Sequence, residues 1–426
     1  MRILYLTHRF PPDHFRGTEV YTFELAQEMK RRGHQVLTAA LRETEAGKIS
    51  VVKDSYGGLA VARIGKKLQP ENFEDYFFDL EMDRLWTGMV QEFQPELIHA
   101  TYFLGGLSLG MAEASLSRKL FITITDYSSL CARGQLLNRN LELCLGPRQG
   151  LRCLDCLFDK NWLFKNARLD RWAREHLPVS LSEFKKPVEL SLVRKRNRAV
   201  EKILGSAAAV IFAHAHTRKI FGQNAVLTRN PQLLDFGVNF EPFLDHQKSA
   251  SSRLRIGFIG QILPHKGLDL LVDALAGIKN QSGFELLVYG SLADPLERKY
   301  FESLNLTRIQ NAQWLGTFDY AKMNEVLKGL DLLVVPSRWP ENCPLVPKYA
   351  LLTGTRLLIS DAPGILPRAD AAGVEVFAMG GVRMLREKID RLLESPAWKG
   401  RIEPRRDLVM NMTEHADALL KIYREH

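Results

Sequence analysis

The feature that most constrains the fold is an alternation of short apolar runs with amphipathic segments, which occurs twice along the chain. At the start, "RILYLTH" (residues 2–8) predicts a buried strand, "TEVYTFELAQEMKRRG" (residues 18–33) has helical periodicity, and "HQVLTAAL" (residues 34–41) predicts a second strand. Further strands are predicted at "ELIHA" and "LFITIT", with a helix near "LSLGMAEASLSRK" between them. Strands that alternate with helices predict a parallel, doubly wound sheet covered on both faces.

The same alternation restarts at "LRIGFIGQI" (residues 254–262) and continues to "LLIS" (residues 357–360). With 426 residues, of which 46% are apolar, the chain is long enough for two domains with cores of their own. We therefore expect an α/β protein with two doubly wound Rossmann-like domains that face each other across a cleft. The predicted bounds are 1–240 for the first domain, 241–253 for a polar linker, 254–408 for the second domain, and 409–426 for a C-terminal helix that packs back toward the first domain.

A basic segment lies within the first domain. Between Lys160 and Lys202 there are twelve Lys or Arg residues against five Asp or Glu residues. Large aromatic side chains are interleaved with them, at Trp162, Phe164, Trp172 and Phe184. This combination suits the surface of an anionic membrane, and a solvated helical insertion with aromatic anchors explains it as well. Nucleic acid would be attracted by the same charge, but no recognition motif accompanies it, so no nucleic-acid partner is expected.

The chain contains no apolar run long enough to cross a bilayer, and its N-terminus predicts a strand rather than a signal peptide. We therefore expect a cytoplasmic protein, with peripheral attachment to the inner membrane face if the basic segment contacts lipid.

Residues at or after the carboxyl ends of the predicted strands are candidates for a site, because ligands of parallel sheets bind outside those ends. These residues are Gly17, His99, Thr125, Asp126, Gly260, Gln261 and Glu341. In "FRGTE", Gly17 opens a helix that Thr18 can cap and that carries Glu19 in its first turn. Such a helix start can accept a phosphate, and a plain helix cap explains the pattern about as well.

The stretch "GQILPHKG" contains a lysine, Lys266, shortly after a strand and next to the start of a helix. A positive charge opposes the helix dipole at that end, which favours a functional reason for it over a structural one. An ammonium group there can neutralise a diphosphate leaving group.

Three stretches together resemble a known family: "GTEVYTFELAQEMKRRGHQV", "GFIGQILPHKGLDLLVDAL" and "VVPSRWPENCPLVPKYALLTGTRLL". They resemble the family 4 retaining glycosyltransferases of the GT-B fold, in order and over nearly the whole chain. The variants "GQI-PHKG" and "EN-P" are similar to those of bacterial enzymes that build surface polysaccharides.

The resemblance implies a nucleotide-diphosphate sugar as donor and a sugar hydroxyl, on a glycan or a lipid-linked intermediate, as acceptor. Gly17 and Lys266 would bind the donor diphosphate, and Glu341 would contact the transferred sugar. The resemblance also implies donor contacts by Gly260, Gln261, Asn342, Cys343, Pro344, Leu345, Val346 and Tyr349. It places His99 and Asp126 with Lys266 and Glu341 among the catalytic residues, and Thr18, Glu19, Thr101 and Thr125 on the acceptor side. No metal is required for this chemistry.

Several positions depart from the family pattern. Tyr349 stands where the family usually has a second glutamate that holds the ribose, and Gln261 stands where many relatives have arginine. Thr101 and Thr125 occupy places where histidine is common, and Arg368 occupies a place often held by glutamate. A neutral phenol binds a ribose hydroxyl more weakly than a carboxylate does. Two interpretations therefore stay open: an active glycosyltransferase, and a glycosyltransferase-like protein without catalysis that binds or stabilises a partner.

Four of the five cysteines cluster in the basic insertion, residues 131–203: Cys131, Cys144, Cys153 and Cys156. In a cytoplasmic chain this spacing favours a metal over disulfides, and four thiolates can hold one structural zinc ion. Four reduced thiols are the alternative. Cys343 is too distant to join them, and the histidines of "FAHAH", His214 and His216, are predicted to be structural.

Overall fold

The computed structural model divides the chain into two compact units. Unit 1 comprises Met1–Asp235 and His415–His426, and unit 2 comprises Phe236–Glu414. The structure describes residues 1–68, 73–138, 142–144, 146–158, 185–366, 373–400 and 402–426. Arg368 and the four aromatic residues of the basic segment lie outside these ranges.

Unit 1 is built on an eight-stranded sheet in the order β3-β4-β2-β1-β5-β6-β7-β8. The strands are β1 (Arg2–Thr7), β2 (Gln35–Glu43), β3 (Ser50–Tyr56), β4 (Leu59–Lys66), β5 (Leu97–Ala100), β6 (Lys119–Ile124), β7 (Ala209–Phe212) and β8 (Pro231–Leu233). All neighbours are parallel except β3 and β4. The direction in which strands are added reverses between β1 and β5, which is where such sheets bind ligands.

The antiparallel pair β3–β4 corrects the expectation of an all-parallel sheet. The two strands pair up to Tyr56 and Leu59, which leaves a turn of two glycines. Gly57 and Gly58 both have positive φ, at 55° and 78°. Such a turn matches the twist of a hairpin and strongly favours glycine. The letters "YGGL" therefore carried a hairpin signal that the prediction did not use.

The helices of unit 1 cover this sheet. They are α1 (Gly17–Arg31), α2 (Phe73–Phe77), α3 (Leu80–Phe93), α4 (Leu109–Ala114), α5 (Leu154–Leu157), α6 (Lys185–Ser206), α7 (Ala215–Gln223) and, at the end of the chain, most of a helix that spans Met412–Glu425. In helix α3, for example, the Asp79 side chain caps the first turn, and Gln94, with φ of 49°, ends the helix. No helix of the described residues is long and apolar enough to cross a membrane.

Unit 2 contains a six-stranded parallel sheet in the order β11-β10-β9-β12-β13-β14. The strands are β9 (Leu254–Ile259), β10 (Phe284–Tyr289), β11 (Ala312–Gly316), β12 (Leu332–Val335), β13 (Arg356–Ser360) and β14 (Val374–Phe377). The helices are α8 (Leu268–Ala276), α9 (Pro295–Ser303), α10 (Met323–Lys328), α11 (Leu345–Thr353) and α12 (Val382–Glu394). The strand order reverses between β9 and β12, so the loops after these two strands flank the switch point.

The segment that we expected to link the domains, residues 241–253, belongs to unit 2. Asp331, which is 1% exposed, accepts hydrogen bonds from Arg255 and lies 2.6 Å from the Nζ atom of Lys248. Ser249 donates its backbone N–H to Lys328. These contacts fasten the segment to the edge of unit 2, and the boundary between the units falls at 235/236.

Candidate functional site

The loop that carries Lys266 follows strand β9 at the switch point of unit 2. Gly260 and Gln261 leave the strand, a single helical turn spans Pro264–Lys266, and Gly267 leads into helix α8. Gly267 has φ of 73°, and a Cβ at this position would lie 2.0 Å from the carbonyl oxygen of Pro336. Only glycine lets this loop pack so closely on the residue that follows β12.

The loop that carries Glu341 follows β12 and is held by backbone hydrogen bonds on both sides. Arg338 donates its N–H to the carbonyl of His265, in the lysine loop, at 2.8 Å. On the other side, Glu341 donates to Pro363 at 2.7 Å and Cys343 donates to Gly364 at 3.1 Å. The two loops of the switch point are therefore fixed against each other within unit 2.

Lys266 and Glu341 meet there as an ion pair. The Nζ atom of Lys266 lies 2.7 Å from Oε1 and 2.8 Å from Oε2 of Glu341. Glu341 is 4% exposed, and Ser337 donates its hydroxyl to Oε1. The ring of Trp339 lies 5.4 Å from Nζ, which adds a cation–π contact. The site thus presents one ammonium group whose counter-charge is a buried carboxylate.

His265, next to Lys266, contributes no charge to this site. Its side chain is buried and contacts Trp339 edge to face at 5.0 Å. Burial, together with the neighbouring charge of Lys266, lowers the pKa of His265 to about 3. The imidazole is therefore neutral at physiological pH, and Lys266 is the cation of the pair.

The residues after Glu341 lead into helix α11. Asn342 and Cys343 are buried, at 8% and 5% exposure, and Cys343 has a positive φ of 60°. Pro344 precedes the helix, whose first residues are Leu345 and Val346. The sequence thus places the loop directly before a helix N-terminus, where free backbone N–H groups favour an anion.

Tyr349 does not present its phenol to a ligand in this structure. Its ring is 2% exposed, stacks on Phe243 with ring centroids 5.1 Å apart, and contacts Tyr320 at 5.8 Å. The prediction that Tyr349 binds the ribose therefore needs correction, because the side chain packs in an aromatic cluster. Its neighbour Lys348 is also buried and donates to the carbonyl of Phe236 at 2.7 Å.

Unit 1 gathers a second group of polar residues at the carboxyl ends of β1, β5 and β6. The Nε2 atom of His8 lies 3.5 Å from Oε1 of Glu19, which is fully buried. His8 also stacks on Tyr102 with centroids 4.0 Å apart. Burial raises the pKa of the Glu19 carboxyl, and burial with the charges of Arg9 and Arg16 lowers that of His8 to about 3. Both groups are therefore favoured in their neutral forms.

Four threonines of this region are linked to each other by hydrogen bonds. Thr125 donates its hydroxyl to the carbonyl of Thr101 at 2.9 Å, and the hydroxyls of Thr101 and Thr22 lie 2.7 Å apart. Thr22 in turn donates to the carbonyl of Thr18. Thr101 is fully buried, so it ties α1 to the strand ends and has no exposed surface of its own.

Asp126 follows β6 and is half-buried. Its carboxylate accepts the backbone N–H of Ser128 at 2.8 Å. Burial raises the pKa of this carboxyl, against the opposing effect of Ser128. The structure thus brings Asp126, Tyr102, His8 and Glu19 to neighbouring strand ends, as expected for Asp126 and Glu19. His8 and Tyr102 were not predicted as site residues, although His8 ends the first predicted strand and Tyr102 lies two residues after "ELIHA".

His99 lies in the interior and not at the edge of the sheet. It is fully buried, its Nδ1 atom lies 2.5 Å from the hydroxyl of Tyr423, and its Nε2 atom lies 2.8 Å from the hydroxyl of Thr123. Burial, with a smaller effect of His415, lowers its pKa to about 3. This placement favours a structural role for His99, as an anchor for the C-terminal helix, over the catalytic role that we expected.

Gly17 begins helix α1, as predicted, and is exposed. A Cβ at this position would meet no atom within 4 Å, and Gly17 is not among the residues with positive φ. Neither packing nor backbone conformation of unit 1 therefore requires a glycine there. His214, in contrast, has the structural role that we predicted, because its Nδ1 atom accepts the N–H of His216 and caps α7.

The four clustered cysteines line one small cavity in unit 1, of about 20 Å³. In the part of the chain that the structure describes, no three His, Cys, Asp or Glu side chains already stand at the distances of a metal site. Cys343 is buried in unit 2 and is not among the lining residues.

The described part of the basic segment is helix α6. Two of its lysines pair with acids of the same unit, Lys195 with Glu74 and Lys202 with Glu113. Arg196 is 1% exposed and donates to backbone carbonyls, so it cannot face a membrane. Of these three cations only Arg196 is therefore absent from the surface, and membrane contact stays a prediction.

Two family models match the chain. Residues 241–415 match the model described as "Glycosyl transferases group 1", and residues 15–130 match "Glycosyltransferase Family 4". Together these matches cover about two thirds of the chain, one in each unit. Each unit thus contains a stretch that matches a glycosyltransferase family model. The ion pair of Lys266 and Glu341 lies within the first match, and Gly17, Glu19 and Asp126 lie within the second.

Solved structures show that the fold is GT-B, as predicted. A sucrose-phosphate synthase from Thermosynechococcus elongatus has a TM-score of 0.69 and 16% identity, covering 100% of this chain and 98% of that one. The Anabaena protein HepE, solved in complex with UDP and glucose, has a TM-score of 0.67 and 14% identity, with both chains covered completely.

Curated relatives share a shorter stretch. A granule-bound starch synthase 1 from Manihot esculenta is 27% identical over 135 residues, which are 32% of this chain and 22% of the relative. The chain matches between 18% and 25% of the length of the first curated relatives.

Proposed function

We propose that this protein is a glycosyltransferase that moves a sugar from a nucleotide-diphosphate donor to a sugar hydroxyl. The observation that carries the proposal is the ion pair of Lys266 and Glu341, which lies at the switch point of the unit 2 sheet and within the group 1 family match. A partly exposed ammonium beside a helix start is the group that a diphosphate leaving group needs.

The geometry supports separate roles for Lys266 and Glu341. A diphosphate would compete with Glu341 for the ammonium of Lys266, because both oxygens of the carboxylate accept from the same Nζ. Ser337 and the backbone bonds to Pro363 and Gly364 would keep Glu341 in place during that exchange. Glu341 is then positioned to accept from hydroxyls of the transferred sugar, while Lys266 neutralises the charge that develops on the diphosphate.

The finer assignments follow from the sequence resemblance. We infer a retaining transfer that requires no metal at the diphosphate, with an acceptor in surface polysaccharide or glycolipid synthesis. The relatives support the donor class, since HepE was solved with UDP and a starch synthase is among the curated relatives.

A second candidate function is that of a non-catalytic partner or binding protein. One observation favours it: Tyr349, at the position where the resemblance places a ribose-binding glutamate, is 2% exposed and packs on Phe243. A donor site without that carboxylate loses a charge-assisted hydrogen bond, which is worth about 1.5–3 kcal/mol.

Nucleotide binding to the full chain separates the two candidates. Melting temperatures would be measured with UDP, GDP, ADP, dTDP and CMP, since a ligand at a hundred times its dissociation constant adds about 2.7 kcal/mol of stability. We expect a shift with one nucleoside diphosphate, and release of that diphosphate from its sugar derivative when an acceptor is present. No shift with any of the five would overturn the enzyme proposal in favour of the second candidate.

Two lysine variants make the test specific to the site. Lys266→Ala should abolish the nucleotide-induced shift and turnover. Lys279→Ala removes an exposed lysine of the same unit and should change neither. If Lys266→Ala bound and turned over the donor like the wild type, the assignment of the ion pair to the donor diphosphate would be wrong.

A further inference from the structure

Four cysteine side chains from three separate stretches of unit 1 converge on one cavity. Cys131, Cys144, Cys153 and Cys156 all line it, and its volume is about 20 Å³. A site for a single water-sized particle needs roughly 10–15 Å³, so this cavity has room for one ion and not for a substrate. The rest of the lining includes leucines, at Leu130, Leu136, Leu137 and Leu157.

Local backbone structure brings each thiol to the cavity. Cys131 lies in a turn, in which its N–H bonds to Tyr127 and its carbonyl accepts from Gly134. Cys144 donates its N–H to Leu136, which returns the chain to the same turn. The last two cysteines flank the start of helix α5, and their spacing of three residues places them on one face.

One backbone N–H and two guanidinium groups lie close to these thiols. The backbone N–H of Gly146 approaches the Sγ atom of Cys144 at 3.4 Å. The guanidinium of Arg196, which is 1% exposed, interacts electrostatically with Cys131 and Cys153, and that of Arg133 interacts with Cys131 and Cys156. Zinc held by four thiolates has two net negative charges, which these two arginines would balance.

We propose that Cys131, Cys144, Cys153 and Cys156 bind one structural zinc ion. Thiolates are the preferred ligands of tetrahedral zinc, at Zn–S distances of about 2.3 Å. The thiols do not stand at these distances among the described residues, so binding requires the four sulfur atoms to move closer together. The four cysteines would supply all four ligands, so no coordination position would stay open. Such a closed site is of the structural and not the catalytic type.

The ion would brace the segment that follows β6. Only four residues separate Asp126 from Cys131, and within them Leu130 and Cys131 both donate to the carbonyl of Tyr127. Arg196 donates to the carbonyls of Ser128 and Ser129 in the same segment. Fixing Cys131 therefore fixes the turn that places Asp126 at the strand end, so the zinc ion has a positioning effect on that carboxylate.

Metal analysis of the full chain tests the proposal. Protein purified with a reducing agent and without a metal-affinity tag should contain about one zinc ion per chain by mass spectrometry. Cys156→Ser should lower that content several-fold, whereas Cys343→Ser, which changes the cysteine outside the cluster, should leave it at one. A reduced, folded wild-type protein without zinc that takes up none when zinc is added would overturn the proposal.

A second measurement covers the case in which the cluster variants do not fold. Cobalt added to metal-free wild-type protein should give the intense absorption of tetrahedral cobalt thiolates, and zinc should then displace it. In zinc-loaded protein, the ion should protect four of the five thiols from a thiol reagent. Reaction of all five thiols at the rate seen after chelation would contradict the proposal. Formation of two disulfides in the cluster, without bound metal, would also overturn the proposal.

Discussion

The ring of Tyr349 stacks on the ring of Phe243 in unit 2, with centroids 5.1 Å apart and planes inclined by 19°. Phe243 lies in the segment that leads from unit 1 into unit 2, and Tyr349 lies in helix α11, which follows the Glu341 loop. The stack therefore joins the entry segment of unit 2 to the helix behind the candidate site. Both residues are buried, at 2% exposure each.

This stack predicts opposite outcomes for two changes at Tyr349. Tyr349→Phe keeps the ring and the contact, so the free energy of unfolding should change by less than about 1.5 kcal/mol. Tyr349→Glu places a carboxylate among aromatic rings and should cost about 3 kcal/mol or more at neutral pH. Urea unfolding of both variants measures the difference. A stable Tyr349→Glu variant that binds nucleotide more tightly would instead restore the ribose-binding role of this position.

The ion pair of Lys266 and Glu341 predicts strong coupling. Lys266→Met leaves the carboxylate of Glu341 buried without its cation and should lower the free energy of unfolding by about 3 kcal/mol. Adding Glu341→Gln to Lys266→Met removes that uncompensated charge, so the double variant should be more stable than Lys266→Met alone. A double-mutant cycle in urea gives the coupling energy. Additive effects of the two changes would show that the pair does not interact in solution.

The strand ends of unit 2 could be predicted from sequence, because a parallel sheet fixes which ends of the strands meet. Lys266 and Glu341 are far apart in the sequence, yet each follows a strand at the switch point, and the structure joins them. The surroundings of Tyr349 could not be predicted, since the partner ring of Phe243 comes from a segment that we had assigned to a linker. Which residue such a polar segment packs on depends on tertiary contacts that have no local period.

Gly267 and Gly17 differ in whether the fold itself requires a glycine. At Gly267, φ is 73° and an added Cβ would lie 2.0 Å from the oxygen of Pro336. Gly267→Ala should therefore destabilise unit 2 by about 2 kcal/mol or more. Gly17→Ala meets no atom within 4 Å and should leave the melting temperature unchanged or slightly higher.

The same pair tests the predicted role of Gly17. If a donor phosphate approaches its backbone, Gly17→Ala should weaken the nucleotide-induced thermal shift although the protein folds as well as the wild type. An unchanged shift would mean that Gly17 is a plain helix start. Unfolding curves and nucleotide titrations on both variants supply the comparison.

His99 predicts a contribution to acid sensitivity. Its pKa is lowered to about 3 by burial, against about 6.5 in an unfolded chain. The folded state therefore binds fewer protons, so the stability contributed by neutral His99 is present above about pH 6.5 and is lost as the pH falls toward 3. His99→Gln should flatten that part of the stability–pH curve, and His426→Gln, at the chain end, is the control.

The hydroxyl of Tyr423 supplies a pH-independent check on the same contact. Tyr423→Phe removes the group that lies 2.5 Å from Nδ1 of His99 and should cost about 1–3 kcal/mol, because a buried ring nitrogen loses its partner. Equal stability of Tyr423→Phe and wild type would contradict an anchoring role for His99. The pKa values of His8 and His265 are also lowered, so these residues contribute to the acid sensitivity as well. Replacing His99 should therefore remove only part of the slope of the unfolding free energy against pH.

The polar residues of unit 1 show where sequence reasoning reached and where it did not. Glu19 and Asp126 were predicted from their places after strands or at a helix start, and the structure puts both near strand ends. His99 occupies an equally suggestive place in the sequence, but its side chain points into the unit, where Tyr423 receives it. The alternation of a strand decides this direction, and a four-residue strand such as β5 is too short to show that alternation clearly.

Glu19 predicts a pH effect of the opposite sign. Burial raises its carboxyl pKa, although Arg16 and Arg9 act to lower it, and His8 faces it at 3.5 Å in neutral form. The folded state therefore holds the proton more tightly than an unfolded chain, whose glutamate has a pKa of about 4.3. The stability from the protonated carboxyl is fully present below that value and is lost as the pH rises through the folded pKa.

Glu19→Gln cannot ionise, so relative to the wild type it should gain stability as the pH rises from 4 toward 8 and should match it near pH 4. Urea unfolding across this range measures the difference, with Glu45→Gln, an exposed carboxylate of the same unit, as the control that should show no such divergence. A difference between Glu19→Gln and wild type that stays constant with pH would mean that Glu19 keeps its charge when buried, held by Arg16 and Arg9.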